Sequence, residues 1–260
     1  MTFSDFRIAL GYRGNKSEAK EDRLIELAEY DGISLDEANN RVEEAAIVLE
    51  VVWYYTLEEG RDAYDVFNHY LNKYDGFDWY VKKSEVAFVW TLRFLEKNEF
   101  NGSIIDFGGG NGDFALAAAS CGYDVTYYDT SKSSVDFVRW RAKKLSVDLE
   151  ITSEMPEKKY DCLCAFEVAE HFQDIGDFVA ILSTLNRCND SAYFIEASSF
   201  SARSCGHFDT YRFEENDILA SAAARKFRDN VRTRYVIAEK GYNGRPIAWR
   251  FKKDKIKNES

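Results

Sequence analysis

The sequence predicts an α/β protein: a parallel sheet covered by helices on both faces, closed by an antiparallel hairpin and preceded by a helical N-terminal region. Three observations carry this. Short apolar segments alternate with helical ones from residue 103 onward. The first of them ends in a glycine-rich turn, and Asn243-Gly244 separates the last two strand-like segments. A chain of 260 residues can bury a sizeable core, and its 45% hydrophobic and 15% aromatic content is that of a folded globular protein.

Residues 1–97 read as the helical region and residues 98–260 as the α/β unit. Ser34-Leu35-Asp36-Glu37 is a capping-box signature, and Ala45, Val48, Val51, Val52 and Tyr55 after it share one helical face. Residues 61–74 and 80–95 read as two further helices, the second with Val86, Val89, Trp90 and Phe94 on one face. Gly32, Gly60 and Asp75-Gly76 punctuate the stretch. Of its large aromatics (Trp53, Tyr54, Tyr55, Phe67, Tyr70, Tyr74, Phe77, Trp79 and Tyr80), most belong to a core and some are available to line a pocket. Strands are then expected over 103–107, 125–129, 149–152, 161–166 and 192–196, with helices over 113–120, 133–144, 178–185 and 216–224. Residues 231–238 and 246–251 pair through the turn at 241–244, a hairpin in place of a helical crossover.

The bulk numbers exclude several classes. A net charge of −11 (34 basic against 45 acidic residues) opposes non-specific attraction to nucleic acid. Arg139, Arg141, Lys143 and Lys144 make a local basic run, read as helix-surface charge. No apolar run approaches the ~18 residues of a membrane span, and the N-terminus carries no basic-then-apolar signal, so a cytoplasmic protein free of membrane is expected. Five cysteines without framework spacing fit reduced thiols. Cys162 and Cys164 share one face of a buried strand, a packing role, and no second pair completes a metal clip.

The sharpest motif is Ile104-Ile105-Asp106-Phe107-Gly108-Gly109-Gly110-Asn111-Gly112-Asp113. Glycines at a strand-to-helix turn let backbone approach a ligand where a Cβ would collide. Asp129 closes the next strand, where an acid can accept the two ribose hydroxyls of an adenosine cofactor. A dinucleotide fits the permissive fingerprint Gly110-x-Gly112-x-x-Ala115, but Asp113 would set negative charge against its pyrophosphate. A P-loop fails for want of Gly-Lys-Ser/Thr. S-adenosylmethionine has no phosphate and carries a sulfonium and an ammonium, so acids near the turn suit it.

These residues resemble the first two motifs of the class I S-adenosylmethionine-dependent methyltransferases, over roughly residues 98–253. The resemblance implies a Rossmann-like seven-stranded sheet ending in the antiparallel hairpin. It also implies that Asp106, Gly108 and Gly110 border the methionine moiety, that Asp129 holds the ribose, and that Glu154 and Met155 flank the adenine. Gly109, Thr130 and Phe166 complete the candidate cofactor set. After the fourth strand, Glu167-Val168-Ala169-Glu170-His171 resembles the Glu-x-x-Glu-His segment of small-molecule O-methyltransferases, ubiquinone-pathway enzymes among them. It also resembles the small-RNA terminal-ribose methyltransferases, in which this segment and a later histidine hold a divalent metal. Here the later histidine is His207, and Glu167, Glu170, His171 and His207 become the candidate ligands for Mg²⁺, Mn²⁺ or Fe²⁺.

Without a metal, His171 or His207 is the candidate general base, with Glu167 as a further catalytic candidate. An imidazole, of pKa ~6.5 when unperturbed, suits proton removal from a hydroxyl acceptor. The leading expectation is O-methylation of a small-molecule hydroxyl on a sugar, phenol or natural-product intermediate, with the N-terminal helices as a lid or a homodimer surface. The alternatives are a metal-dependent RNA or nucleotide ribose methyltransferase, opposed by the charge, and a non-catalytic partner subunit, opposed by the intact glycine turn.

Overall fold

The computed structural model describes residues 1–75, 77, 84–187, 189, 191–200, 206–207 and 217–252, excepting the side chains of residues 63 and 217–221. The helical region opens with α1 (Phe3–Ala9), α2 (Lys16–Asp31) and α3 (Leu35–Glu58). Each start is capped by a side chain. Thr2 accepts from the Asp5 amide in a capping box, Asn15 accepts from Glu18, and Ser34 accepts from Glu37 as its sequence signature predicts. The buried stripe of α3 is Ala38, Ala45, Leu49, Trp53 and Thr56. The expected face is therefore rotated: Val51 and Tyr55 are exposed. Of the region's other aromatics, Tyr74 and Phe77 are buried, Tyr54 and Tyr70 are exposed, and Trp79 and Tyr80 lie outside the described residues.

The α-helix expected over 61–74 is instead a short 3-10 turn, Ala63–Asn68, followed by irregular turns. Its backbone carbonyls and one side chain are taken by distant partners. The Phe67 carbonyl accepts from Ser131 Oγ, the Lys73 carbonyl accepts from Asn111 Nδ2 at 2.9 Å, and Asn68 Oδ1 accepts from the Lys132 amide at 2.9 Å. Tertiary hydrogen bonds here replace the local ladder that periodicity alone would favour. The next helix, α4 (Glu85–Lys97), is buried on most of its surface; the start expected from residue 80 lies outside the described residues.

The sheet runs β1 (Ser103–Phe107), β2 (Asp124–Tyr128), β3 (Glu150–Thr152), β4 (Cys162–Phe166), β5 (Tyr193–Ala197), β6 (Tyr235–Lys240) and β7 (Ile247–Phe251). Its order is β3-β2-β1-β4-β5-β7-β6, parallel throughout the first five and antiparallel at β5·β7 and β7·β6. Between strands come α5 (Asp113–Ser120), α6 (Lys132–Leu145), α7 (Ile175–Leu185) and α8 (Asp217–Arg234). Two boundaries move by three residues or more: the helix expected from residue 178 starts at Ile175, and α8, expected to end at 224, continues through residues 231–234, expected in a strand, where Val231 packs into the core with Phe227. Residue 216, its expected start, lies outside the described residues. The hairpin turn follows its chemistry, with Asn243 and Gly244 both at positive φ (55° and 81°).

Side-chain alternation along β1 builds two cores. Ile104 faces one with α4, α5 and α6, and Ile105 and Phe107 face the other with α7 and α8. The first core also takes in Phe6, Leu10, Tyr12 and Ala19 of the N-terminal region, so apolar packing is continuous across residue 97. Cys162 and Cys164 are fully buried on β4 with their sulfurs 3.7 Å apart. No helix among the described residues is long and apolar enough to cross a membrane.

Candidate functional site

The carboxyl ends of β1, β2 and β4 meet at one edge of the sheet, where ligands bind in open parallel sheets. The turn after β1 starts with Gly108 at φ 68°, and its amide and that of Gly109 both donate to the Tyr128 carbonyl at 2.8 and 3.1 Å. A Cβ on Gly109 would lie 2.7 Å from Asp106 Oδ2 and 2.7 Å from the Tyr127 ring. That ring is wholly buried and its hydroxyl donates to the Gly110 carbonyl at 2.6 Å, so it has nowhere to retreat. Gly109→Ala is expected to cost about 1–3 kcal/mol through overpacking and to weaken cofactor binding with it; chemical denaturation and a binding titration on the same sample check both.

Asp129 pins the turn from the next strand. Its Oδ2 accepts the Gly110 amide and its Oδ1 the Ser131 amide, each at 2.8 Å, and each oxygen keeps a lone pair for a further donor. Burial pushes the Asp129 carboxyl up, while those two amides and the nearby His171 hold it down. Beneath the turn, Asp106 is 2% exposed and its Oδ2 has no hydrogen-bond partner among the described residues. Burial, with Asp129 and Asp113 adding repulsion against a hydrogen bond from Ala115, raises its carboxyl to about 8. A buried acid short of a partner, under a turn too tight for any Cβ, fits the cationic methionine end of S-adenosylmethionine. The two free lone-pair positions of Asp129 fit a vicinal diol.

Asp113 corrects the argument against a dinucleotide. It does not face the ligand side as a bare charge, because Arg23 and Arg141 clasp its two oxygens, Arg141 at 2.6 Å. The pair overcomes the burial that would raise it and leaves its carboxyl lowered. Arg141 is accordingly no part of a basic surface run; its side chain is fully buried.

The other expected cofactor residues are placed more loosely. Thr130 is exposed beside Asp129, and Glu154 and Met155 lie exposed in the loop after β3, where Thr152 Oγ1 accepts the Glu154 amide at 2.9 Å. Phe166 ends β4 with its ring edge-on to Phe88 and Phe114, 5.0 Å from each, closing the core under the turn.

Past β4, Glu167 adopts φ 55°, uncommon for a residue with a Cβ, and turns the chain into a 3-10 turn at Ala169–His171. Val168 then packs against Gly108, where a Cβ would come within 2.8 Å of its Cγ2. The segment thus abuts the cofactor turn. Glu170 points inward, fully buried, and accepts the Ser199 amide at 2.7 Å. Glu167 lies beside it, and burial together with that neighbouring carboxylate pushes Glu167 well above the usual range.

The divalent-metal expectation is corrected by this arrangement. Among the described residues no three His, Cys, Asp or Glu side chains converge as a ligand set. Glu170 Oε1 accepts the Ser199 amide while its Oε2 is buried without a hydrogen-bond partner among the described residues, and the rings of His171 and His207 meet edge to face, 4.8 Å between centroids. Glu167, Glu170, His171 and His207 are thus not gathered into a ligand set among the described residues.

The structure does bring the two histidines together under the N-terminal region. The Phe67 ring is edge-on to His171 at 5.3 Å, and Tyr64 donates to the His171 carbonyl at 3.0 Å. His171 Nδ1 is buried and lacks a hydrogen-bond partner among the described residues. The segment 208–213 after His207 lies outside the described residues. Sequence reasoning missed Tyr64, Tyr127, Ser131, Arg23 and Arg141. Of these only Ser131 had a local signal, as a serine directly ahead of a helix, and it does cap α6 by accepting from Ser134.

Comparison with known proteins identifies the family. A family described as a methyltransferase domain matches residues 80–231, more than half of the chain. The chain is 30% identical over 115 residues to a ubiquinone biosynthesis O-methyltransferase of Pelagibacter ubique, covering 42% of this chain and 48% of that one. A protein of the same name from Rickettsia typhi is 33% identical over 108 residues, covering 35% and 44%. The chain thus spans about half the length of the curated relatives it matches. Among solved structures, magnesium protoporphyrin IX methyltransferase of Synechocystis with bound SAH superposes with a TM-score of 0.52 at 18% identity, covering 74% of this chain and 100% of that chain. At that identity the likeness is one of fold. With the matching domain, the β3-β2-β1-β4-β5-β7-β6 sheet and the glycine turn all on one chain, this protein belongs to the class I S-adenosylmethionine-dependent methyltransferases.

Proposed function

We propose that the protein transfers the methyl group of S-adenosylmethionine to a hydroxyl group of a small molecule. The observation that carries this reading is His171. Its Nδ1 is a buried ring nitrogen without a hydrogen-bond partner among the described residues, in the segment that packs on the glycine turn. When bound, S-adenosylmethionine supplies a methyl carbon already activated by its sulfonium. Asp106 holds the cationic end and Asp129 the ribose. His171 Nδ1 takes the proton of the acceptor hydroxyl, and the Tyr64 bond to its carbonyl fixes the backbone that carries the ring. The rings of Phe67 and His207 pack edge to face on His171, with Tyr64 beside Phe67, and these apolar neighbours suit a compact organic acceptor. The O-methyltransferase names of the relatives at 30% and 33% identity support oxygen as the nucleophile.

The test is turnover against panels of phenols, sugars and hydroxy acids, followed by product NMR. His171→Ala is expected to lower kcat by ~10²–10³, the scale of a general base, while cofactor affinity stays within twofold. A product methylated at nitrogen or carbon, or full activity in His171→Ala, would refute the reading.

A further inference from the structure

We infer that Arg23, on α2 of the N-terminal region, is a positioning residue for the cofactor turn, so that the helical region sets the shape of the site from behind. The inference rests on the proposed cofactor for its binding readout, but its structural half stands without it.

The turn is held at every residue from 110 to 113. Gly110 is fixed by Asp129 through its amide and by Tyr127 through its carbonyl. Asn111 gives its carbonyl to Arg141 Nη1 and its side-chain amide to the Lys73 carbonyl. Asp113, the first residue of α5, is clasped by Arg23 on one side and Arg141 on the other. Arg141 in turn donates to Tyr12 at 2.8 Å and pairs with Glu26 of α2 at 3.1 Å, and Tyr12 donates to Glu26. Tyr12, Arg23, Glu26, Asp113 and Arg141 are all buried.

Two arginines and two carboxylates balance, so no net charge is buried. Such a network contributes little net stability compared with apolar packing, but it admits only one arrangement of its members. Taking out Arg23 leaves three charged groups with one negative charge in excess. The cheapest response is for Asp113 to turn toward water. Asp113 cannot move without Gly112 and Asn111, and those residues are the ligand-facing turn. Arg23 thus acts on the cofactor through Asp113, across 90 residues of sequence.

Hydrogen exchange on the full chain without ligand tests the structural half, comparing wild type, Arg23→Met and Arg23→Lys. Exchange of a peptide over residues 107–114 is expected to speed up at least tenfold in Arg23→Met and less in Arg23→Lys, with β5 unchanged. Titration with S-adenosylmethionine is expected to show Kd raised about tenfold or more in Arg23→Met and partly restored in Arg23→Lys. Turn exchange and Kd both as in wild type would overturn the inference. So would equal acceleration in the turn and in β5, which marks a merely structural residue. If Arg23→Met does not fold, Arg23→Lys against wild type decides by the same readouts. Wild type that binds no S-adenosylmethionine refutes the proposed function instead, and the exchange comparison still decides this one.

Discussion

Asp106→Asn is expected to stabilise the empty protein while weakening its hold on S-adenosylmethionine. The reason is the sign of one titration. Asp106 has its carboxyl raised to about 8 in the fold against an ordinary value near 3.8, with burial as the main cause. Below about pH 4 the group is protonated folded and unfolded, and folding carries no penalty. As pH rises from there toward 8, the unfolded chain gains by ionising and the folded chain does not, so stability falls. Near neutral pH the penalty is on the order of 4 kcal/mol. An asparagine escapes it. The unfolding midpoint of Asp106→Asn should therefore lie above wild type at pH 7, and the difference should vanish near pH 4. Binding runs the other way. A cation placed against Asp106 favours its charged form, so wild type should release a proton on binding at pH 7, and Asp106→Asn should release none and bind at least tenfold more weakly. Calorimetry in two buffers of different ionisation enthalpy reads both. A protein destabilised at pH 7 by this change, or binding without proton release, would contradict the account.

The second large effect is at Asp129. Its two oxygens tie Gly110 and Ser131 together, so one side chain sets the turn after β1 and the start of α6. Asp129→Ala removes two charge-assisted hydrogen bonds to backbone as well as the acceptor for the ribose. Such bonds contribute about 1.5–3 kcal/mol each, so S-adenosylmethionine binding should weaken by at least a hundredfold. Asp129→Asn keeps one acceptor oxygen and should fall between. Isothermal titration across the three proteins checks the ranking. Equal affinities would mean that the adenosine lies elsewhere.

The features legible in the sequence were those whose cause is local. The glycine turn declares itself because a close backbone approach at Gly109 leaves no room for a Cβ, and the acid at 129 follows from the length of one βα unit. The closing hairpin declares itself because Asn243 and Gly244 accept positive φ. Cys162 and Cys164, alternating on a wholly apolar strand, were readable as core. What escaped depends on contacts across long stretches of chain. Residues 61–74 carry a helical pattern, but their carbonyls are claimed by Asn111 and Ser131, some 40 to 60 positions on. Nothing near Asp113 announces an arginine 90 residues away, so its charge looked available when it is neutralised. The Glu167 to His171 segment suggested metal ligation because residue types set that motif, whereas side-chain direction decides ligation. Positive φ at Glu167 and the inward turn of Glu170 send the two carboxylates to each other and to Ser199.

The central claim is that the turn at Gly108–Gly112 and the acid at Asp129 form an S-adenosylmethionine site. Its most direct test is a calorimetric titration of the full chain with S-adenosylmethionine, with circular dichroism on the same sample to establish that it is folded. The account predicts saturable one-to-one binding that raises the melting temperature as ligand is added. Folded protein that gives no binding heat and no thermal shift at millimolar ligand would contradict it.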